Sequence, residues 1–486
     1  MNKLYEKYNK ISEPVKASFW YTVCNIVNKG IALLSTPIFT RILTENQYGT
    51  FSIFQSWYSI IIVFTSLNIF LGGYQKGLLL YREDKDKFTS TQLGLTTTIT
   101  LMFFMIYLIN PQLWSSLLEL SPVLMIAMFL ELLFMPALEF WSTWQRFDFK
   151  YKKYVVISIL MTVLSLGVGV ISVINTELKV EARVYSDVFA KILFSGILFC
   201  LIFKKGKCFC SKKYWKYALV FNLPLIPHYL SNYILSQSDR IMIGKMIGND
   251  KAAFYSVAYT ISTMMILIVN AINSSLTPYL YKKINDIETN NESKELIENN
   301  IKKITIPIII MIAVLCVLTM LFAPEVIKIF AGKNYYEAIY IVPPVSISVF
   351  FIFIYSLFSN VEYYFQKTKL IALATSVCAV LNLLLNYIFI DVFGYYAAGY
   401  TTLISYIFLS VLHYIFYRRL LSNMNIHHLY NIKAIFIISV ILISIMIMAV
   451  FSYKVTFVRY LLVVCIVIVC TLFRKKIMLT IKNIKQ

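Results

Sequence analysis

The chain has 486 residues, 59% of them hydrophobic and only 14% charged, where an ordinary soluble domain runs at roughly 45–50% and 25%. A soluble fold of this size has no use for so much apolar surface, whereas a polytopic membrane protein does. The net charge of +21 would suggest nucleic acid in a soluble protein; beside this composition it reads as basic cytoplasmic loops, and nucleic-acid binding is excluded.

The first residues, MNKLYEKYNKISEPVK, are basic and amphipathic. No small-residue cleavage site follows the first apolar run, so that run reads as a retained helix. A helix needs about 20 apolar residues to cross a bilayer. Such runs fall at 17–40, 50–75, 89–110, 122–145, 154–175, 183–203, 217–246, 253–280, 303–325, 338–365, 370–390, 396–417, 433–452 and 457–473. The predicted fold is therefore an all-α polytopic membrane protein with about 14 transmembrane helices.

Lysine and arginine mark the cytoplasmic loops. With the N-terminus inside, 33 of the 45 lie in cytoplasmic segments, 9 in outer loops or at the outer helix ends beside them, and Lys29, Lys191 and Arg240 deeper inside apolar runs. A missed helix would reverse every later loop and blur this bias, so both termini are expected to be cytoplasmic. The longest loop, 281–303, is polar and on the same side. Six of the eight cysteines lie within or at the ends of apolar runs, where cysteine acts as a small hydrophobe. Cys208 and Cys210 form a C-x-C in a lysine-rich loop with no histidine near, so neither a metal site nor a disulfide framework is expected.

Two stretches resemble each other. TRILTENQYGTFSI, 40–53, and GKMIGNDKAAFYSV, 244–257, align at an offset that sets Arg41 on Lys245, Gly49 on Ala253 and Ser52 on Ser256. Both are predicted outer turns in one orientation, six helices apart. Two parallel six-helix repeats are a recurrent transporter plan, with the substrate site where they meet. The expected organisation is a cytoplasmic amphipathic N-terminus (1–16), an N-lobe of six helices (17–203), a basic linker (204–216), a C-lobe of six helices (217–417), two further helices (418–473) and a basic tail (474–486).

The same stretches carry a family resemblance. STPIFTRILTENQYGTFSIFQSW is similar to the R-x-L-x-x-x-x-Y-G turn and aromatic second helix of the O-antigen and polysaccharide (Wzx-type) flippases. These belong to the multidrug/oligosaccharidyl-lipid/polysaccharide (MOP) exporter superfamily. SQSDRIMIGKMIGNDKAAFYSVAY resembles their D-R-x-x-[IL]-G-x-x-x-G seventh helix, with Asp239, Arg240, Gly244 and Gly248 in place. Ala253, Gly72–Gly73 and Lys76 depart from the pattern. The resemblance in helix count and loop spacing covers nearly the whole chain. It implies a lipid carrier, undecaprenyl diphosphate, and alternating access between two lobes in the bacterial cytoplasmic membrane. It also implies a lipid-linked oligosaccharide as substrate, for O-antigen and related lipopolysaccharide assembly. A polysaccharide polymerase and a chain-length regulator are its implied partners.

Charges inside a bilayer normally face a cavity or a partner. Lys29 has no acid within one turn and is the leading candidate for a cavity cation. Lys191 joins it, although Asp187 one turn earlier can neutralise it at i,i+4. Asp239 and Arg240 are adjacent and point about 100° apart, so each is expected to reach another helix. Arg41 completes the candidate cavity set; its place at an outer helix end, like that of Arg183, also suits snorkelling. Glu131, Asp239 and Asp187 are the candidate ion-coupling acids, for a proton or sodium ion; Glu131 could instead pair with Lys29 or be buried protonated. Glu362, His413, His427 and His428 read as solvated groups at inner helix ends and a loop. Pro224 and Pro227 in NLPLIPHYLSN mark a bend and a candidate hinge, since proline frees backbone carbonyls in a membrane helix.

No G-x-S-x-G, H-E-x-x-H or Walker-type loop appears, so neither hydrolase chemistry nor bound ATP is expected. No cofactor is expected beyond the coupling ion. A membrane polysaccharide polymerase or acyltransferase is the alternative from another class, and short, charge-poor outer loops argue against it. Within the superfamily, a lipid II flippase or a drug/cation antiporter remains open; the basic lean of the buried charges disfavours a cationic cargo.

Overall fold

In a computed structural model, residues 12–289, 293–422, 426 and 428–464 are described, and among them the secondary structure is helical with no strand. The N-terminal eleven residues, His427, Cys465, Cys470, most of the predicted fourteenth helix and the basic tail lie outside the described residues. The helices are α1 (Glu13–Ile42), α2 (Glu45–Ser66), α3 (Gly73–Leu80), α4 (Lys85–Ile109), α5 (Pro111–Leu118), α6 (Pro122–Phe147), α7 (Lys152–Ile174), α8 (Lys179–Gly206) and α9 (Lys212–Asn222). There follow α10 (Ile226–Met246), α11 (Asn249–Thr263), α12 (Ile266–Glu288), α13 (Lys294–Leu321), α14 (Ala323–Phe330), α15 (Val342–Tyr364), α16 (Thr368–Phe393), α17 (Ala397–Ser422) and α18 (Ile432–Ser452). Among the described residues, nine helical stretches are long and apolar enough to cross a membrane. Helices α1, α2 and α10 have the length, at 30, 22 and 21 residues, with more polar sequences. The protein is an all-helical polytopic membrane protein.

The chain divides into two compact units, 1–253 and 254–486. In unit 1 the turn between α1 and α2 is set by Thr44. Its hydroxyl accepts from the Gln47 N–H while the Gln47 side chain accepts from the Thr44 N–H, a reciprocal cap that satisfies two otherwise orphaned donors. The predicted span 50–75 is broken. α2 stops at Ser66, and Leu67 and Asn68 both take left-handed backbone, φ 50° and 45°. A short 3₁₀ turn then leads to α3.

The predicted span 217–246 is broken as well, by a 3₁₀ turn at Leu223–Leu225 between α9 and α10, with Pro224 inside it and Pro227 in the first turn of α10. The two breaks touch. A Cβ on Gly73 would stand 2.7 Å from Asn222 Nδ2, and the Tyr217 hydroxyl donates to the Gly73 carbonyl at 2.9 Å.

The two look-alike stretches also pack on each other. A Cβ on Gly49 would lie 1.7 Å from the Asn249 carbonyl oxygen, so only glycine permits this approach of α2 to the start of α11. Asn249 Nδ2 donates to Thr50 Oγ1 at 3.0 Å, and a Cβ on Gly244 would meet Ile53 at 2.4 Å. The alignment pairs Gly49 with Ala253; in the fold its neighbour is Asn249.

Unit 2 is built around α15, which is buried along most of its length. α17 packs along it, and Ser410 Oγ donates to the Phe351 carbonyl at 3.1 Å. Asn382 and Asn386 of α16 bond each other and Thr402 and Thr401 of α17, all four fully inside or nearly so. The Tyr417 hydroxyl accepts from the Leu429 N–H at 2.8 Å, which ties the segment before α18 back to α17.

Candidate functional site

The charged residues of α8 build the most elaborate polar site of unit 1. Arg183, Asp187 and Lys191 recur every four residues and so share one face of the helix. Lys191 Nζ lies 2.7 Å from Asp187 Oδ2 and 2.6 Å from Glu131 Oε1 on α6. Asp187 also accepts from Ser165 on α7 at 2.6 Å and from Gln55 on α2 at 3.4 Å. The cluster thus ties four helices. Glu131 is 1% exposed. The Lys191 ammonium also sits 5.5 Å from the Tyr58 ring centre.

The expected local pair between Asp187 and Lys191 is present. Glu131 joins it from another helix, so its partner is Lys191 and not Lys29. Two acids flank one lysine because burying any one of these charges alone would cost several kcal/mol.

Arg183 overturns its sequence reading. It does not snorkel: it is 7% exposed, with its guanidinium 4.2 Å and 4.6 Å from the Phe39 and Phe51 ring centres. A flat cation desolvated between two aromatic faces gains cation–π attraction in place of water. Arg183 lines a cavity of about 150 Å³ with Ser35, Thr162, Ser165, Asp187 and Lys191. The only sequence signal for this was the four-residue spacing to Asp187.

The other candidates lie elsewhere. On α10, Asp239 and Arg240 are both buried. Arg240 Nη1 donates to the Ser236 carbonyl at 2.9 Å and to Gln237 Oε1 at 2.8 Å, and the same Gln237 oxygen accepts from Ser56 on α2 at 3.2 Å. Arg41 is exposed and donates to the Pro37 carbonyl at 2.6 Å. Lys29 is exposed on α1 and has no ion pair among the described residues. The residues brought together are Glu131, Asp187 and Lys191, with Arg183 added. Among the described residues no group of three or more His, Cys, Asp or Glu is placed to hold a metal ion.

Glu362 and His413 are a second correction. Read as solvated, both are fully buried in unit 2, with His413 Nδ1 2.7 Å from Glu362 Oε1. They are 51 residues apart, and neither carries a local sign of the other.

A family described as polysaccharide biosynthesis protein matches residues 15–283, more than half of the chain. The chain belongs to this family. A second family, MatE, matches residues 224–388, about a third of the chain. A protein of the Lsg locus of Haemophilus influenzae is 24% identical over 384 residues, covering 76% of this chain and 88% of that protein. A protein of Haloferax volcanii described as a probable low-salt glycan biosynthesis flippase, Agl15, is 20% identical over 410 residues, covering 82% of each. Among solved structures, the lipid II flippase MurJ in an inward closed conformation aligns with a TM-score of 0.65 at 15% identity, over 94% of this chain and 99% of that one. An inward-facing multidrug resistance MATE transporter of the MOP superfamily aligns at 0.64 and 15%, over 82% and 95%. At such identity these two likenesses speak for the fold alone.

Proposed function

We propose that the protein is a flippase that carries an undecaprenyl-diphosphate-linked oligosaccharide from the inner to the outer leaflet of a bacterial cytoplasmic membrane. The observation that carries this reading is the family match over residues 15–283, joined to the glycan-flippase name of the Haloferax relative. Both termini are taken as cytoplasmic, with two six-helix lobes alternating access to the two faces and Pro224 and Pro227 as the hinge. A polysaccharide polymerase and a chain-length regulator would receive the product.

The cargo's diphosphate needs cations where water is scarce, because charge-assisted bonds to phosphate oxygens strengthen there. Lys29 is the cation best suited to this, being exposed within a membrane-length helix and paired with no acid among the described residues. Arg240 is the second. Lys191 is already held by Glu131 and Asp187, so its role shifts to the ion-coupling cluster, with Glu131, Asp187 and Asp239 as the acids that would exchange a proton or sodium ion.

The test replaces Lys29 and Arg240 with Ala in cells lacking the native copy and measures surface polysaccharide at matched protein levels. A loss of tenfold or more is expected for Lys29→Ala, with partial recovery in Lys29→Arg. Normal polymer from both alanine variants sinks the proposed phosphate site. If surface glycan is untouched by deleting the protein and lipid II accumulates instead, the cargo is the peptidoglycan precursor. External labelling of a tag placed in 281–303 would reverse the assigned orientation.

A further inference from the structure

Unit 2 contains a titratable pair to which the proposed transport cycle assigns no role. Glu362 lies near the end of α15 and His413 in the second half of α17, and both side chains are fully enclosed. Their contact at 2.7 Å joins His413 Nδ1 to Glu362 Oε1. The remaining polar atoms, Glu362 Oε2 and His413 Nε2, are buried and have no hydrogen-bond partner among the described residues. The imidazole lies on the Tyr355 ring at 5.5 Å and 22°, and Tyr355 in turn stacks on Tyr406.

The neighbouring charges are committed elsewhere. On α13, Glu298 pairs with Lys302. On α12, Lys283 pairs with Asp286, and Glu288 accepts from the Tyr364 hydroxyl. Tyr430, before α18, gives its hydroxyl to the Leu357 carbonyl, and Tyr417 of α17 accepts from the backbone. Among the described residues, no ion pair joins Glu362 to Lys367 or Lys369 at the start of α16, to Lys433 on α18 or to Arg419 at the end of α17.

Stability does not explain such a pair. Exchanging a buried ion pair for well-packed apolar side chains is often neutral or stabilising. Elsewhere the α15–α17 contact uses a neutral bond, Ser410 to Phe351. An imidazole is the side chain whose charge changes near physiological pH, and an ionisable group inside a membrane bundle marks a functional site by default.

We propose that Glu362 and His413 form a proton-binding site in unit 2. With one proton the pair is neutral overall, whether as imidazolium and carboxylate or as imidazole and carboxylic acid. A second proton, delivered by hydronium from water, forms an O–H bond on the carboxylate beside the imidazolium and leaves a net charge of +1. The Nδ1–H then faces a neutral acceptor, and the attraction between α15 and α17 weakens. Release of that proton to water restores it. Proton occupancy is thereby written into the packing of two helices. Its consequence, proton-driven transport, rests on the flippase reading; the binding itself does not.

The experiment uses the full chain in lipid nanodiscs with ¹⁵N-labelled histidine. The chain has four histidines, and a His413→Gln sample assigns the His413 signals by difference. Spectra are recorded from about pH 5 to 8, the range in which imidazoles change charge, and the expected result is a pH-dependent His413 signal that is displaced at least tenfold in proton concentration in Glu362→Gln. Glutamine keeps a bond to Nδ1 but cannot carry the proton. A His413 spectrum constant over that range, or one indifferent to Glu362→Gln, overturns the proposal. Should Glu362→Gln not fold, Glu362→Asp serves, with a displaced titration expected. In cells, Glu362→Gln is expected to flatten the dependence of surface polymer on external pH. A titrating pair with an unaltered transport profile overturns the coupling while the flippase reading stands. Loss of the flippase reading, judged on surface glycan in cells lacking the protein, leaves the titration as it is.

Discussion

Unit 1 and unit 2 meet the same constraint with different chemistry. A helix bundle surrounded by hydrocarbon must satisfy its polar side chains internally. Unit 1 does so with ions: Lys191 between Glu131 and Asp187, and Arg183 between two aromatic rings. Unit 2 also uses amides and hydroxyls, in the buried Asn382–Asn386–Thr401–Thr402 group, beside ion pairs such as Glu362–His413 and Arg459–Glu325. An ionic core demands that every charge keep its partner, whereas a neutral core loses one bond at a time. Unit 1 is therefore expected to respond to single substitutions more steeply than unit 2.

The largest effect should come from Lys191→Met. It leaves the buried Glu131 and the largely buried Asp187 without their shared cation, and removing one member of a buried ionic group costs about 3–5 kcal/mol. The measurement is the unfolding midpoint of purified protein, together with folded yield. The triple variant Lys191→Met, Glu131→Gln, Asp187→Asn is expected to recover most of the loss. A single variant as stable as the parent would remove the basis for the contrast.

Asn386→Ala is the matching probe in unit 2. It strips bonds from Asn382 and Thr401 but strands no charge, and inter-helix hydrogen bonds in membranes average about 0.6 kcal/mol with a maximum near 1.7. A loss in the range of about 0.5–1.5 kcal/mol is expected in the same assay. A loss as large as that of Lys191→Met would mean that the two cores do not differ in kind.

What was legible in the sequence follows the reach of each interaction. Helix number and placement come from apolar runs, which are local: α4, α6 to α8, α13 and α15 to α18 lie where those runs predicted, whereas α5 and α14 had no run of their own and the run 253–280 is split between α11 and α12. The Asp187–Lys191 pair is local too, because one helical turn links it. Pro224 and Pro227 announced the break between α9 and α10. The break after Ser66 had no such signal, since Leu67 and Asn68 take left-handed backbone without glycine. Glu131–Lys191 and Glu362–His413 are 60 and 51 residues apart, and only packing brings them together. Arg183 was misread because its position near a helix end suggested water, while Phe39 and Phe51 arrive from other helices. The two look-alike stretches were read as equivalent turns; that they touch through Gly49 and Asn249 depends on close approach of backbones that no spacing rule encodes.

The smallest predicted effect concerns an ion group at the edge of unit 1, and it sharpens the comparison by showing what an ionic contact contributes where water can reach it. Asp148 caps the end of α6 and takes Lys85 Nζ at 3.3 Å, Lys150 Nζ at 3.2 Å and the Trp144 indole N–H at 3.0 Å. Burial opposes its ionisation, but the hydrogen bonds and charges of Lys150 and Lys85 outweigh that and hold the carboxyl below its ordinary value. A carboxylate so depressed adds stability that is complete above the unfolded value, near pH 4, and that vanishes as pH falls through the lowered folded value. Because Lys150 is exposed, Asp148→Asn should cost only about 0.5–1 kcal/mol at neutral pH. Parent and variant midpoints should converge as pH drops below about 4, and moderate salt should narrow the gap. A gap that persists unchanged into acid would assign the loss to the Trp144 hydrogen bond and not to charge. Lys191→Met should show no comparable relief from salt, because its partners are enclosed by four helices.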